Sequence, residues 1–259
     1  MEIVTSRQNK KIQTVRELSR DPELRRKTGL FVCDGAKLLA EALRSGAGVE
    51  TVLWKEHRDE SFPEFEYEAL LSEALFDYAS PLKNSPGPLF TVRIAPASAS
   101  GAEASTATDD EPWEHVLVLE GVQDPGNVGT VLRTADAFGV DCVVLLEGCA
   151  DVYAPKTVRS TMGAVFRQFI CELPLEELPA FCRNRGLKLY GAALSDRAAD
   201  VRTLPLRNAA VCVGSEGRGL SRELLGLCDG EVIIPMRGPA ESLNAAVAAA
   251  VLMWEMTRE

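Results

Sequence analysis

Polar and apolar positions follow two different rhythms along this chain. In the first stretch, Ile12, Val15 and Leu18 recur at helical spacing, so one helix face there is apolar. "GLFVCDG" (29–35) then reads as a strand and "AKLLAEALRSG" (36–46) as a helix closed by Gly46. "VETVLWK" (49–55) and "PLFTVRI" (88–94) read as further strands. From residue 113 onward the pattern is a series of short, unbroken apolar runs: "HVLVLEGV" (115–122), "DCVVLLEG" (141–148), "LKLYGAAL" (187–194), "NAAVCVGSEG" (208–217) and "GEVIIPM" (230–236). Each is followed by a loop and a helical pattern. Strands buried on both faces lose their alternation, so this rhythm predicts a parallel sheet covered by helices.

Between the two rhythms lies "APASASGAEASTATDDEP" (95–112), all small, acidic or proline. It offers too little apolar surface to offset the entropy of ordering it, which predicts a flexible linker. The chain is thus expected to be α/β throughout: a smaller domain over 1–94, a linker over 95–112 and a parallel-sheet domain over 113–259. The last element is unusual. From Ala245 to Trp254 every residue is small or apolar, behind a polar Ser242-Leu243-Asn244 start and a Pro235–Pro239 loop. A helix apolar on all sides is expected to be buried, and Ser or Asn at its start can cap the unpartnered first N–H groups.

Composition adds exclusions. The longest apolar run is too short to span a bilayer, and the start "MEIVTSRQNKK" has no apolar leader. No membrane partner is expected, and a cytoplasmic location is. The seven cysteines form no Cys-x-x-Cys and sit in apolar contexts, as reduced buried thiols do. The two histidines, His57 and His115, are far apart, which argues against a zinc site and against histidine acid–base chemistry. No metal is expected. A net charge of −10 speaks against non-specific coating of nucleic acid. Arg7, Lys10 and Lys11 nevertheless cluster on the polar side of the first helix, as a solvated face or as a phosphate-binding patch.

Ligands of parallel sheets sit at the carboxyl ends of the strands, and three loops there carry uncommon residues. "GSEGRGLS" (214–221) has glycines in the order G-x-x-G-x-G, which is neither the dinucleotide fingerprint nor a P-loop. Glu216 within it suits a polar or cationic ligand better than a pyrophosphate. In "QDPGNVGTVLR" (123–133), Asn127 reads either as a helix cap or as a functional amide. Arg133 stands among Val131, Leu132 and Ala135 in a helix that must pack on the sheet, and its fork of donors wants an anion or a polar oxygen. The third loop is "PMRGPAESLN" (235–244).

Together the three loops resemble the SpoU-type (TrmH-like) RNA 2′-O-ribose methyltransferases of the SPOUT superfamily. The matching residues are Asn127-Val128-Gly129 to Arg133, Gly214 to Gly219, and Ile234 to Asn244, with "VRSTMGAVF" (158–166) similar to the family's middle motif. "SRQNKKIQTVRELS" and "RRKTGLFVCDGAKLLAEAL" resemble the substrate-binding domain found before it. One departure is Asp34, where relatives have Glu before the glycine.

The resemblance implies an α/β knot holding S-adenosylmethionine, with main chain near Gly214, Ile234, Met236 and Leu243 around it. It implies methyl transfer to a ribose 2′-hydroxyl, with Arg133 at the reacting oxygen, Asn127, Ser242 and Asn244 orienting the ribose, backbone and arginine, and Glu216 either holding the cofactor side or pairing with an arginine. It further implies a homodimer through the knot, and a structured RNA partner bound through Arg7, Lys10 and Lys11. Ribosomal RNA is favoured by the extra N-terminal domain, with tRNA as the alternative substrate. A non-catalytic RNA-binding module on the same fold is the rival reading. A nucleotide-dependent oxidoreductase is disfavoured by the misordered glycines.

Overall fold

A computed structural model describes residues 1–95, 113–239 and 242–258. The linker expected over 95–112 therefore falls, from residue 96 on, outside the described residues. The chain forms two compact units: Met1–Ala95 with Asp151–Arg167, and Pro96–Ala150 with Gln168–Glu259.

The first unit begins with β1 (Glu2–Val4), α1 (Lys10–Leu18), α2 (Pro22–Thr28), β2 (Leu30–Asp34) and α3 (Ala36–Arg44). It continues with β3 (Val49–Lys55), β4 (Tyr67–Leu71), α4 (Glu73–Ala79) and β5 (Leu89–Arg93). Local chemistry sets the helix ends. The Asn9 side chain accepts from the N–H groups of Lys11 and Ile12, at 2.9 and 3.4 Å, and so starts α1. Asp21 caps α2 with Pro22 just inside it, and Gly29 ends it in the left-handed region. The sheet order is β1-β4-β3-β5-β2, with β5 antiparallel to both neighbours.

Ile12, Val15 and Leu18 of α1 pack with Val32, Leu53 and Phe76 on one face of that sheet. Strand alternation sends Phe31 and Trp54 to the other face. The strands β1 and β4 were not expected from the pattern. "EIV" is too short to show a period, and "YEALL" reads as readily helical; parallel pairing between them makes both strands.

The second unit opens with β6 (His115–Leu119), α5 (Pro125–Phe138) and β7 (Cys142–Leu145). The chain then returns to the first unit over Asp151–Arg167, which holds α6 (Pro155–Ser160). The hydrophobic rhythm groups this stretch with 113–259, whereas by packing it lies with residues 1–95. Back in the second unit come β8 (Ile170–Glu172), α7 (Leu178–Asn184), β9 (Lys188–Ala192), β10 (Ala199–Asp200) and β11 (Ala209–Val213). α8 (Arg222–Leu227), β12 (Gly230–Ile233) and α9 (Ala245–Met256) complete it.

The seven strands lie in the order β10-β12-β9-β11-β6-β7-β8, and every pairing is parallel. The five expected apolar runs are five of these strands. The short edge strands β8 and β10 escaped the pattern. Growth of the sheet reverses at β6, with β7 and β8 on one side and β9 to β12 on the other. Such a switch point leaves a crevice at the carboxyl ends of the strands.

The final helix departs from expectation in one respect. Ala245, Ala246, Ala249, Leu252, Met253 and Met256 are buried, but Val247 and Trp254 are 50% and 57% exposed. One side of this apolar helix is uncovered within a single chain. All seven cysteines are free, five of them buried.

Candidate functional site

Val213 of β11 lies level with Leu119 of β6, so the loops leaving these strands emerge side by side. The β6 loop leads into α5, whose cap is Asp124: its carboxylate accepts from the Asn127 N–H at 3.0 Å, with Pro125 in the first turn. Asn127 is therefore not the cap, and its side chain is left for other work. Its amide nitrogen donates to the Glu216 carboxylate of the glycine-rich loop. Its amide oxygen accepts from the Asn244 side chain at 3.2 Å. Asn244 in turn caps α9, accepting from the N–H groups of Ala246 and Val247 at 3.0 and 3.3 Å. A chain of three side chains thus ties the three loops together.

Beside this chain is a cavity of about 520 Å³ at the carboxyl ends of β9, β11 and β12, within the roughly 300–1,000 Å³ usual for small-molecule sites. Gly214, Ile234, Met236 and Leu243 line it, together with Glu216 and Ser242. Gly214 has a geometric reason to be glycine. A Cβ there would fall on the backbone of Gly219 and Leu220, far inside the 3.0 Å that real Cβ contacts keep. The loop doubles back at this point, with the Gly219 N–H donating to the Ser215 carbonyl at 2.9 Å. Two apolar walls, Leu225 and Leu252, and the Glu216 carboxylate suit a ligand that is part apolar and part cationic, while Glu231 is paired with Arg197 of the same wall. That is the chemistry of an adenosyl group joined to a sulfonium, so S-adenosylmethionine fits this donor set.

Two contributors were missed from sequence. Glu120, just past β6, accepts from both the N–H and the hydroxyl of Ser221 at 2.7 Å, pinning the far end of the glycine loop. The β9 loop, Ala192 to Ser195, forms a fourth wall of the cavity and exposes Leu194 by 64%. An apolar residue left at the carboxyl end of a buried strand was the available signal.

Arg133 stands apart. It lies six residues beyond Asn127 on α5, ~120° around the helix and ~9 Å along it. It is exposed, does not line the cavity, and makes no hydrogen bond or ion pair among the described residues. The packed face of α5 is Val128, Val131, Leu132 and Ala135, so the arginine does not face the sheet as its neighbours suggested. In the first unit Arg7, Lys10 and Lys11 are all exposed. Arg7 lies 4.6 Å from the Tyr78 ring centre and Lys11 5.0 Å from that of Tyr67.

Residues 114–254 match the SpoU rRNA Methylase family, and residues 9–81 match the MRM3-like substrate binding domain. The 23S rRNA (guanosine(2553)-2′-O)-methyltransferase RlmP of Bacillus subtilis is 36% identical, over 99% of both chains. The AdoMet-bound rRNA methyltransferase structure from Sinorhizobium meliloti is 26% identical with a TM-score of 0.84, covering 99% of this chain and 97% of that one. The SpoU methyltransferase AviRb from Streptomyces viridochromogenes, solved with AdoMet, is 26% identical with a TM-score of 0.82 over 96% of this chain and 98% of that one.

Proposed function

The chain belongs to the SpoU rRNA methylase family, and on that premise we propose that it methylates a ribose 2′-hydroxyl of ribosomal RNA. It is an RNA 2′-O-methyltransferase of the SPOUT fold, and S-adenosylmethionine is its cofactor. The observation that carries the reading to this chain is the cavity bounded by Gly214, Glu216, Ser242 and Leu243, with the Asn127–Glu216–Asn244 chain beside it.

When bound, the cofactor supplies an electrophilic methyl group on a sulfonium. The residues around it have three tasks. Main chain near Gly214, Ile234, Met236 and Leu243 holds the adenosyl part, since glycine allows the backbone to come close. Glu216 lines the cavity with negative charge that would suit a sulfonium, and its bond from Asn127 fixes its direction. The 2′-hydroxyl is a poor nucleophile unless the charge growing on its oxygen is stabilised, and Arg133 is the group for that. A guanidinium stays protonated, so it polarises the oxygen or a neighbouring phosphate while the proton leaves to phosphate or water. Ser242 and Asn244 orient the ribose and its backbone.

Arg133 does not line the cavity of its own chain, which supports a homodimer whose second copy completes the site. The uncovered side of α9 supports the same assembly. Val247, Val251 and Trp254 recur at helical spacing there, and Trp254 meets Phe138 of α5 edge-on at 5.6 Å. An apolar stripe of this kind marks a contact surface. The knot is proposed on family membership, with α9 as its last element. A cytoplasmic location follows from a ribosomal substrate; no described helix is long and apolar enough to cross a membrane.

The test has two arms. Purified protein with labelled S-adenosylmethionine should methylate a 23S rRNA transcript at one ribose. Mapping 2′-O-methyl groups in total RNA from a deletion strain should show one site lost. Loss from tRNA alone would move the substrate to the alternative, and loss from nowhere would favour the non-catalytic module.

A further inference from the structure

The first unit holds a cavity of about 740 Å³ that plays no part in the site above. It opens on the sheet face opposite α1, because Leu53 packs toward α1 and its neighbour Trp54 lines the cavity. Its walls are the start of α3, the loop from Leu82 to Pro88, and Arg159 and Met162 of the returning segment.

The charges around it are not balanced. Each carboxylate in the lining is engaged. Asp34 accepts from the hydroxyls of Ser80 and Ser85, Asp59 from Ser61, and Glu41 from Arg44 and Arg167. Burial raises the Asp34 carboxyl above its usual range, against the pull of those hydroxyls and of Arg159. Lys55 is spent on Glu73 and Asp77. Lys37 and Lys83 are exposed and have no ion pair among the described residues, and Arg159 has only the charge of Asp34 near it. Two unpaired lysines, with Arg159 beside Asp34, therefore line one concavity in a protein of net charge −10. Met162 adds an apolar surface: it is 56% exposed and held at a φ of 51°, a conformation that side-chain-bearing residues seldom adopt.

We infer that this cleft receives an unpaired stretch of the RNA substrate, with Lys37, Lys83 and Arg159 on its phosphates and a base against Met162. The inference rests on the RNA reading above and goes beyond it in naming a second contact region and the form of RNA that it takes. Concavity decides the form. A duplex presents a broad, convex surface read across its minor groove, whereas splayed single-stranded bases enter pockets. The cations suit the dense negative charge of a nucleic-acid backbone. Arg7, Lys10 and Lys11, on the α1 side, are left for flanking phosphates.

The full-length protein would be titrated with labelled oligouridylate and with an RNA duplex of the same length, across a range of salt. The variant carries Lys37→Gln, Lys83→Gln and Arg159→Gln, all at exposed positions. For single strands each lost phosphate contact flattens the salt slope by about 0.7, so the variant's slope should fall by about two. Its affinity for oligouridylate at physiological salt should fall on the order of 10–100-fold. Cofactor binding by calorimetry should be unchanged, which also certifies the fold. An unchanged slope overturns the inference, as does an equal loss for the duplex. Methyl transfer to a 23S transcript separates the two readings. If the parent transfers methyl groups and the variant keeps its slope, this inference alone fails. If the parent transfers none yet the slope falls as stated, the cleft stands and the catalytic proposal fails.

Discussion

Gly214→Ala is the sharpest probe of the cofactor cavity, because the structure states what the added methyl would strike. An ideal Cβ at 214 lands on the backbone carbonyl of Gly219 and the nitrogen of Leu220, at separations no real Cβ tolerates. These are main-chain atoms of the same loop, pinned on one side by the Ser215–Gly219 bond and on the other by Glu120 holding Ser221. No flexible side chain can swing away, so the loop itself must shift. Overpacking of this kind costs about 1–3 kcal/mol. If the strain is relieved by moving the loop out of its ligand-bearing shape, the binding-competent fraction falls by the corresponding factor, and Kd rises about 5–150-fold. Calorimetry with S-adenosylmethionine measures that directly. Gly217→Ala is the matched control: a Cβ there meets nothing within 4 Å and its φ is not positive, so affinity should stay at the parent's. The reasoning is refuted if Gly214→Ala binds as the parent does, or if Gly217→Ala loses as much.

Arg133→Ala should lose methyl transfer on the order of 10²–10³-fold with cofactor affinity intact, and Arg133→Lys should recover little, lacking the planar fork of donors. Parent-level turnover by the alanine variant would assign the role elsewhere. Trp254→Asp puts a charge on the uncovered stripe of α9; a central aromatic anchor is worth about 2 kcal/mol or more, so sedimentation should show a dimer weakened at least ~30-fold. A variant that sediments like the parent would place the interface elsewhere. Lys10→Gln with Lys11→Gln should lower the salt slope of RNA binding by about 1.4 on a single-stranded probe, and an unchanged slope would leave α1 a solvated face.

Legibility in the sequence tracked how much of each feature is local. The strands β7 and β11 are buried end to end and β6 in all but His115, and burial on both faces erases alternation, so their apolar runs stood out. β1, β8 and β10 span two or three residues, too few to show a period, and exist because a neighbour pairs with them. At the start of α5 both Asp124 and Asn127 are good capping residues. Pro125 could have decided between them, since proline prefers the first helical position directly after the cap. The outward placement of Arg133 was also readable, because Thr130, Arg133 and Ala137 fall on a stripe away from Val128, Val131 and Ala135. The joining of Asn127 to Glu216 and Asn244 was not readable. It depends on β6 and β11 being level, a matter of register between strands far apart in sequence.

The return of Asp151–Arg167 to the first unit was equally hidden, and one ion pair offers a test of what fastens it. Arg25 is buried, with its side chain 5% exposed. It donates from Nη1 to the Leu18 carbonyl, and from Nε (at 3.1 Å) and Nη2 to one carboxylate oxygen of Asp151. Phe31 adds ring contacts with Tyr153 and Phe166 at 5.0 and 6.2 Å. Gly163 is pressed so close that a Cβ would lie 2.8 Å from Glu41 Cγ. Asp151→Ala would leave the buried guanidinium without its anion. Breaking a buried pair from one side costs about 3–5 kcal/mol, and the lower figure applies because the Asp151 side chain is 23% exposed. A loss of about 3 kcal/mol in opening free energy speeds amide exchange over this segment by ~150-fold. Asp151→Asn keeps an acceptor and should lose less. Removing both partners, as Arg25→Met with Asp151→Leu, should restore most of the protection, since an apolar pair avoids the uncompensated charge. Hydrogen exchange across 152–167 reads all three variants. Parent-like exchange in Asp151→Ala, or a double variant no better protected than the single, would show that the ion pair does not hold the segment. Arg159 and Met162 wall the cleft of the first unit, so a loosened segment should also weaken oligouridylate binding. Cofactor affinity, which resides in the second unit, should not change.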